Sequence, residues 1–64
     1  MIINGEKANY EEGITVSELL TKLKLQSDKV VVEVDREIIA KNKYADKRLT
    51  TSSQVELIRF VGGG

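Results

Sequence analysis

The stretch Gly13-Ile14-Thr15-Val16-Ser17-Glu18-Leu19-Leu20-Thr21-Lys22-Leu23 decides how this chain folds. Thr15 followed three residues later by Glu18 is a capping box, in which the hydroxyl accepts from a free amide of the first turn and the carboxylate reaches back to the amide of the cap residue. Ile14 before the cap and Leu19 beyond it stand where a hydrophobic staple forms. Val16, Leu19, Leu20 and Leu23 recur at i, i+3, i+4 and i+7, which is one apolar stripe on a helix. Lys22 and Lys24 lie near the C-terminal end, where the helix dipole favours cations. The pattern predicts one short amphipathic helix whose stripe must cover something else.

The flanking segments supply a sheet. Upstream, Met1-Ile2-Ile3 and residues 6–10 are joined by Asn4-Gly5, the strongest two-residue hairpin signal, because both turn positions need positive φ. Glu11-Glu12-Gly13 reads as a loop. Downstream, residues 29–34 form a β-branched run with Val30, Val32 and Val34 on one face and Val31 and Glu33 on the other. Asp35-Arg36 is a weak turn signal, and residues 37–39 make a short returning strand. Residues 41–48 are polar apart from Tyr44 and Ala45, which predicts a loop carrying one helical turn. Thr50-Thr51-Ser52-Ser53 is a second loop by composition, and residues 55–61 are the last strand before Gly62-Gly63-Gly64. The order, written ββαββ, suits an α+β chain of the β-grasp, ubiquitin-like architecture: a mixed sheet with one amphipathic helix across one face. The division expected is a β-grasp domain over 1–61 and a glycine tail over 62–64.

Size and composition narrow the chemistry. The 64 residues allow one small domain. A folded surface of roughly 4,000 Å² against about 10,000 Å² unfolded leaves no room for a deep enclosed active site. There is no Cys, hence no thiol nucleophile, disulfide or thiolate metal site, and no His, the commonest general base and metal ligand at neutral pH. Ten Lys and Arg balance ten Asp and Glu, which argues against nucleic-acid binding driven by phosphate neutralisation. No apolar run exceeds three residues, where a membrane span needs about 20. The N-terminal residues have no basic segment followed by an apolar one, so no secretory signal is expected and a cytoplasmic location is.

The candidate chemical groups are few. Glu11-Glu12, and Asp35 with Glu37, are paired carboxylates, but without a pocket to separate their pKa values they read as solvated charge. Neither pair offers the dense oxygen cluster that a Ca²⁺ loop requires. Lys41, Lys43, Lys47 and Arg48 form a modest basic segment, open to an acidic partner or a phosphate but more simply a solvated loop. Tyr10, Tyr44 and Phe60 are too scattered to make a base-stacking platform. The tail stands apart. Three glycines lose the most entropy on ordering and have no side chain to pack, so they serve either as a plain flexible end or as a functional one. In the functional reading they make a slim rod of about 10 Å that carries a carboxylate into a channel where any Cβ would clash.

The chain resembles the ubiquitin-like sulfur carriers of the ThiS/MoaD family, most closely their thiamine-biosynthesis branch. The likeness runs over nearly the whole length. It includes the Met1-Ile2-Ile3 start with Asn4-Gly5 at the first turn, the helix start Gly13-Ile14-Thr15-Val16-Ser17-Glu18-Leu19-Leu20, residues 30–34 with the turn to Ile38-Ile39, Tyr44-Ala45, and residues 55–64. It departs at Thr51-Ser52-Ser53-Gln54, where the family often has an Asp-Gly-Asp turn, at Asp35-Arg36, which replaces a commoner Asn-containing turn, and at Gly62, a position often held by another small residue.

The resemblance implies that the chain is a carrier and not itself an enzyme. A ubiquitin-activating-type, ThiF-like adenylyltransferase spends ATP to turn the Gly64 carboxylate into an acyl-adenylate. Sulfur from a donor such as a cysteine desulfurase persulfide then leaves a thiocarboxylate on Gly64, and a ThiG-like thiazole synthase takes that sulfur. The carrier binds no cofactor of its own, and neither nucleic acid nor membrane is a partner. Gly62 and Gly63 form the tail, and Ile58, Phe60 and Val61 form the partner-binding patch. The resemblance also puts Val55 and Leu57 under the helix and Ile58 and Phe60 on the exposed sheet face; the plainer reading makes Phe60 core. Two other functions compete: the small subunit of molybdopterin synthase, which shares the tail chemistry in usually longer chains, and a ubiquitin-like tag, recognition module or bare scaffold without sulfur chemistry.

Overall fold

The computed structural model describes residues 1–60. Its strands are β1 (Ile2–Ile3), β2 (Glu6–Lys7), β3 (Val30–Val34), β4 (Glu37–Ile38) and β5 (Gln54–Arg59), with α1 (Val16–Lys22) between β2 and β3. Counting the short return as a strand, the order is ββαβββ. Single 3₁₀ turns occupy Ser27–Lys29 and Lys41–Lys43, the second being the helical turn expected in the polar loop. The five strands form one sheet in the order β2-β1-β5-β3-β4. β1 runs parallel to β5 and every other neighbouring pair is antiparallel, so the sheet is mixed. The β-grasp expectation for the fold class therefore stands. The boundary proposed between domain and tail, at residues 61 and 62, lies outside the described residues.

Helix α1 has seven residues, too few to persist alone in water, so packing and caps must hold it. The capping box forms as the sequence predicts: Glu18 N donates to Thr15 Oγ1 at 3.1 Å, and Thr15 N donates to Glu18 Oε1 at 2.9 Å. The backbone amide of Thr15 is the first cause of the lowered Glu18 pKa; the hydroxyl of Thr15 and the charges of Arg48 and Lys22 add to it. Val16, Leu19 and Leu20 are buried against Val30, Val32, Val34, Val55 and Leu57 of the sheet, with Leu23 partly buried at the edge of the same core. The far end of the helix departs from expectation. Lys24 adopts φ +60°, Leu25 N donates to the Leu20 carbonyl at 2.9 Å, and Lys24 N donates to that of Thr21 at 3.0 Å. That is a Schellman cap with a lysine where glycine usually stands. Lys24 thus closes the helix through its backbone, beyond whatever its charge adds.

Strand bounds differ from expectation, and β4 is a residue shorter, ending at Ile38. β2 ends at Lys7 and not at residue 10; Ala8 N still donates to the Met1 carbonyl in the same register, and the chain leaves the ladder after it. β3 starts at Val30, since Lys29 belongs to the preceding 3₁₀ turn. β5 begins one residue early, at Gln54, which is drawn into pairing with β1, and its regular portion ends at Arg59. The loop before β5 is better anchored than its composition suggests. Leu49 is fully buried and exchanges backbone bonds of 2.8 Å with Gly13 and Ile14, while the buried Tyr44 hydroxyl donates to the Val30 carbonyl at 3.2 Å.

Candidate functional site

β5 is the third of five strands, bonded on both edges, and it carries two different surfaces. Its inward residues Val55 and Leu57 sit beneath α1, Leu57 at 8% exposure. Its outward residues are Gln54, Glu56 and Ile58, and Ile58 is 50% exposed. Phe60, which continues the outward alternation just past the strand, is 57% exposed, so the reading of Phe60 as core is excluded. The anchor at this end is Phe60 N donating to the Lys29 carbonyl at 3.0 Å. Val61 and the expected tail, Gly62, Gly63 and Gly64, lie outside the described residues.

Sheet register assembles the rest of the outer face. Val31 pairs with Ile58, Glu33 with Glu56, and Ile38 of β4 with Glu33, and directly opposed residues share a face. Ile38 is 68% exposed. Ile38, Ile58 and Phe60 are the large apolar side chains left exposed among the described residues; the register puts Ile38 and Ile58 on the side of the sheet away from the helix, and Phe60 follows the alternation of Ile58 just past the strand. The sequence reading missed Ile38. Counting outward from the two-residue turn Asp35-Arg36 pairs residue 38 with residue 33, so the signal was present once the turn was trusted.

Two turns hold this face in register. Asn4 and Gly5 take φ +50° and +82°, which is a type I′ turn and the reason a glycine follows the asparagine. Asn4 does more than turn. Leu57 N donates to Asn4 Oδ1 at 2.7 Å, and Asn4 Nδ2 donates to the Leu57 carbonyl at 3.3 Å, so a side-chain amide extends the β1–β5 ladder toward the tail end of β5. Asp35 and Arg36 take φ +51° and +72°, again a type I′ turn, here without glycine. The Asp35 carboxylate accepts from Gln54 N at 3.0 Å, which ties this turn to the start of β5.

The other charged candidates serve the scaffold or stay in solvent. Glu12 Oε1 accepts from Thr51 N at 3.0 Å and pins one loop to another. Arg48 Nη1 donates to the Gly13 carbonyl at 2.9 Å beside the helix start, while Lys41 and Lys43 are exposed. Among the described residues no group of three or more His, Cys, Asp or Glu side chains could hold a metal ion, and no helix is long and apolar enough to cross a membrane. What this geometry offers is a surface: an outward apolar patch on the central strand, next to the place where the chain leaves the sheet.

The ThiS family model matches residues 1–64. The sulfur carrier protein ThiS of Bacillus subtilis is 33% identical over 63 residues, covering 97% of this chain and 96% of that protein. The crystal structure of the thiamine biosynthesis protein ThiS from Geobacter metallireducens superposes with a TM-score of 0.84 at 30% identity, covering 98% of this chain and 96% of the other. A thiazole synthase of Paramagnetospirillum magneticum is 39% identical over 64 residues, the whole of this chain. The chain spans only 20% of that enzyme's length, and 19% of a second thiazole synthase, from Magnetococcus marinus. A full-length family match, a relative of nearly the same length and a shared fold lead to one assignment: the chain belongs to the ThiS family.

Proposed function

We propose that the chain delivers sulfur through the carboxylate of Gly64 and leaves every bond-making step to its partners. A carboxylate is a poor electrophile because its charge is delocalised. In the proposed cycle an adenylyltransferase of the ubiquitin-activating type joins it to the α-phosphate of ATP, releasing pyrophosphate and leaving an acyl-adenylate. A persulfide sulfur, from a donor such as a cysteine desulfurase, attacks the acyl carbon and expels AMP, forming an acyl disulfide. A second thiol cleaves the S–S bond, is itself oxidised into a disulfide, and releases the thiocarboxylate. That nucleophile bonds through sulfur to the precursor held by a thiazole synthase, and water then cleaves the acyl–sulfur bond, which leaves the sulfur on the precursor and regenerates the carboxylate. The carrier is thus a co-substrate in the cytoplasm, with ATP spent by the partner.

The observation that carries this reading is the match to a sulfur carrier over essentially the full length of both chains. The thiazole synthases in which a fifth of the polypeptide resembles this chain support thiazole synthase as acceptor, because joining carrier and acceptor raises their effective concentration. Ile58, Phe60 and Val61 form the docking patch in this proposal, and Gly62 and Gly63 the rod that threads the partner's channel. Incubation with an adenylyltransferase of this type, ATP and a persulfide donor, followed by intact mass measurement, tests it. One oxygen-for-sulfur exchange at Gly64 is expected. Ligation to a lysine would make the chain a protein tag, and an unchanged mass would leave a bare scaffold.

A further inference from the structure

The outer face holds an arrangement that folding alone does not favour. Glu33 and Glu56 are directly opposed on antiparallel β3 and β5, and both point away from the core. Directly opposed side chains on a sheet stand about 4.5–5.5 Å apart at Cβ, and like charges there are destabilising. The outward positions directly adjoining the pair are Ile38 across β4, Val31 and Ile58 to one side, and Gln54 to the other with Ile2 beyond it on β1; the basic residues that alternation puts on this face, Arg36 in the β3–β4 turn and Lys7 across from Ile2, stand off the directly opposed positions. The same face carries the exposed apolar residues Ile38, Ile58 and Phe60.

We infer that this face receives a cationic side chain, arginine or lysine set among apolar groups, on the partner that takes up the tail, with Glu33 and Glu56 clasping the charge and Ile38 and Ile58 covering its stem. This rests on the carrier reading for which protein docks here. Charge complementarity selects the occupant. Two adjacent carboxylates suit the forked donors of a guanidinium, and flanking isoleucines suit the methylene stem behind it. A calcium ion would need six or more oxygens where the register supplies isoleucine and valine. A second copy of this chain, docked face to face about a two-fold axis, would set the acidic pair against itself.

The test compares wild type with the double variant E33Q/E56Q, with E11Q on a distant loop as control. Adenylation of the wild type is scored first, then Kd for the adenylyltransferase by calorimetry at low and high salt, then the thermal midpoint of each free chain. Removing the repulsion raises the midpoint by about 2–4 °C at low salt, and the gain shrinks as salt screens the pair. Losing the carboxylates weakens Kd about tenfold and flattens its salt dependence, while E11Q behaves as wild type. A double variant that binds as tightly as an adenylated wild type, with the same salt slope, overturns the inference and leaves the carrier reading intact. A fall in the midpoint overturns the premise that the pair is repulsive, and the inference with it. A wild type that is neither bound nor adenylated overturns the carrier reading and the inference together.

Discussion

The alternation along β5 makes a sharp comparison between neighbours. Phe60 is 57% exposed and Leu57 8%, so truncation at each draws on a different reservoir of buried area. Full burial of a large apolar side chain is worth about 1.5–3 kcal/mol. Less than half of Phe60 is buried within the chain, so F60A should lower stability by about 1 kcal/mol, or roughly 4–8 °C in a domain of this size. The larger, exposed share is what a partner can cover, about 1.5 kcal/mol, which is about tenfold in binding. Leu57→Ala lies at the other extreme, removing core contacts worth about 2–5 kcal/mol in a fold whose core supplies roughly 3–5 kcal/mol net. The assay pairs thermal melts by circular dichroism with the KM of each variant in pyrophosphate exchange by the adenylyltransferase. F60A should raise KM about tenfold with kcat unchanged, as expected when binding is lost equally from ground and transition states. L57A should melt at or near room temperature, with losses that track its folded fraction. If F60A unfolds the chain while adenylation per folded molecule is unaffected, Phe60 is structural and the docking patch is misplaced.

Other residues give independent checks. Replacing Asn4 with glycine keeps the turn but removes both bonds to Leu57, so stability should fall by about 2 kcal/mol; a melt within a degree or two of wild type would refute the ladder role. Lys24 and Arg36 both hold positive φ, so K24G and R36G should each gain about 0.5–1 kcal/mol, read as a shift in denaturant midpoint at constant m. Glu18 has a lowered pKa in the folded state, so its contribution is present above the ordinary carboxylate value of about 4.3 and is lost as pH falls through the lowered one. E18Q should therefore flatten the acid limb of the melting profile while leaving neutral pH little changed; an acid limb as steep as wild type would show that other carboxylates set it.

What the sequence disclosed, and what it hid, follows from how local each signal is. The helix start was legible because the capping box and its stripe lie within nine residues and need no distant partner. The two faces of β5 were legible for a similar reason, since a period of two assigns alternate residues as soon as one face is known to be core. The burial of Tyr44, set apart only as an exception in a polar stretch, and of Leu49, which falls between two loops, was not legible, because it comes from strands and a helix far off in sequence. Lys24 concealed a helix cap that glycine would have announced. Asn4 announced its turn but not its second task, since the amide it bonds lies 53 residues away. The opposed glutamates were invisible for the same reason: the β3–β5 register is set by long-range pairing, which no local pattern reports.

The placement of β5 bears on how so small a fold could hold the terminus proposed to carry sulfur. An edge strand frays and offers its free groups to any other strand, whereas β5 is bonded to β1 on one side and β3 on the other. Asn4 extends the first of these ladders as far as Leu57, and Phe60 N caps the second on Lys29. The end of β5 is thereby fixed on both sides, in the middle of the sheet, within one residue alternation of both the core and the exposed patch. A partner that grips Ile58 and Phe60 consequently grips a strand whose position is set by the whole core, and from Phe60 the four remaining residues can extend at most about 14 Å. Loosening the core should accordingly blur where the carboxylate arrives before it abolishes docking. Asn4→Gly, which removes one lateral tie without touching the patch, should lower kcat for adenylation more than it raises KM at temperatures where the variant is still folded. A proportional rise in KM alone would mean that the partner, and not the sheet, sets the position of the tail.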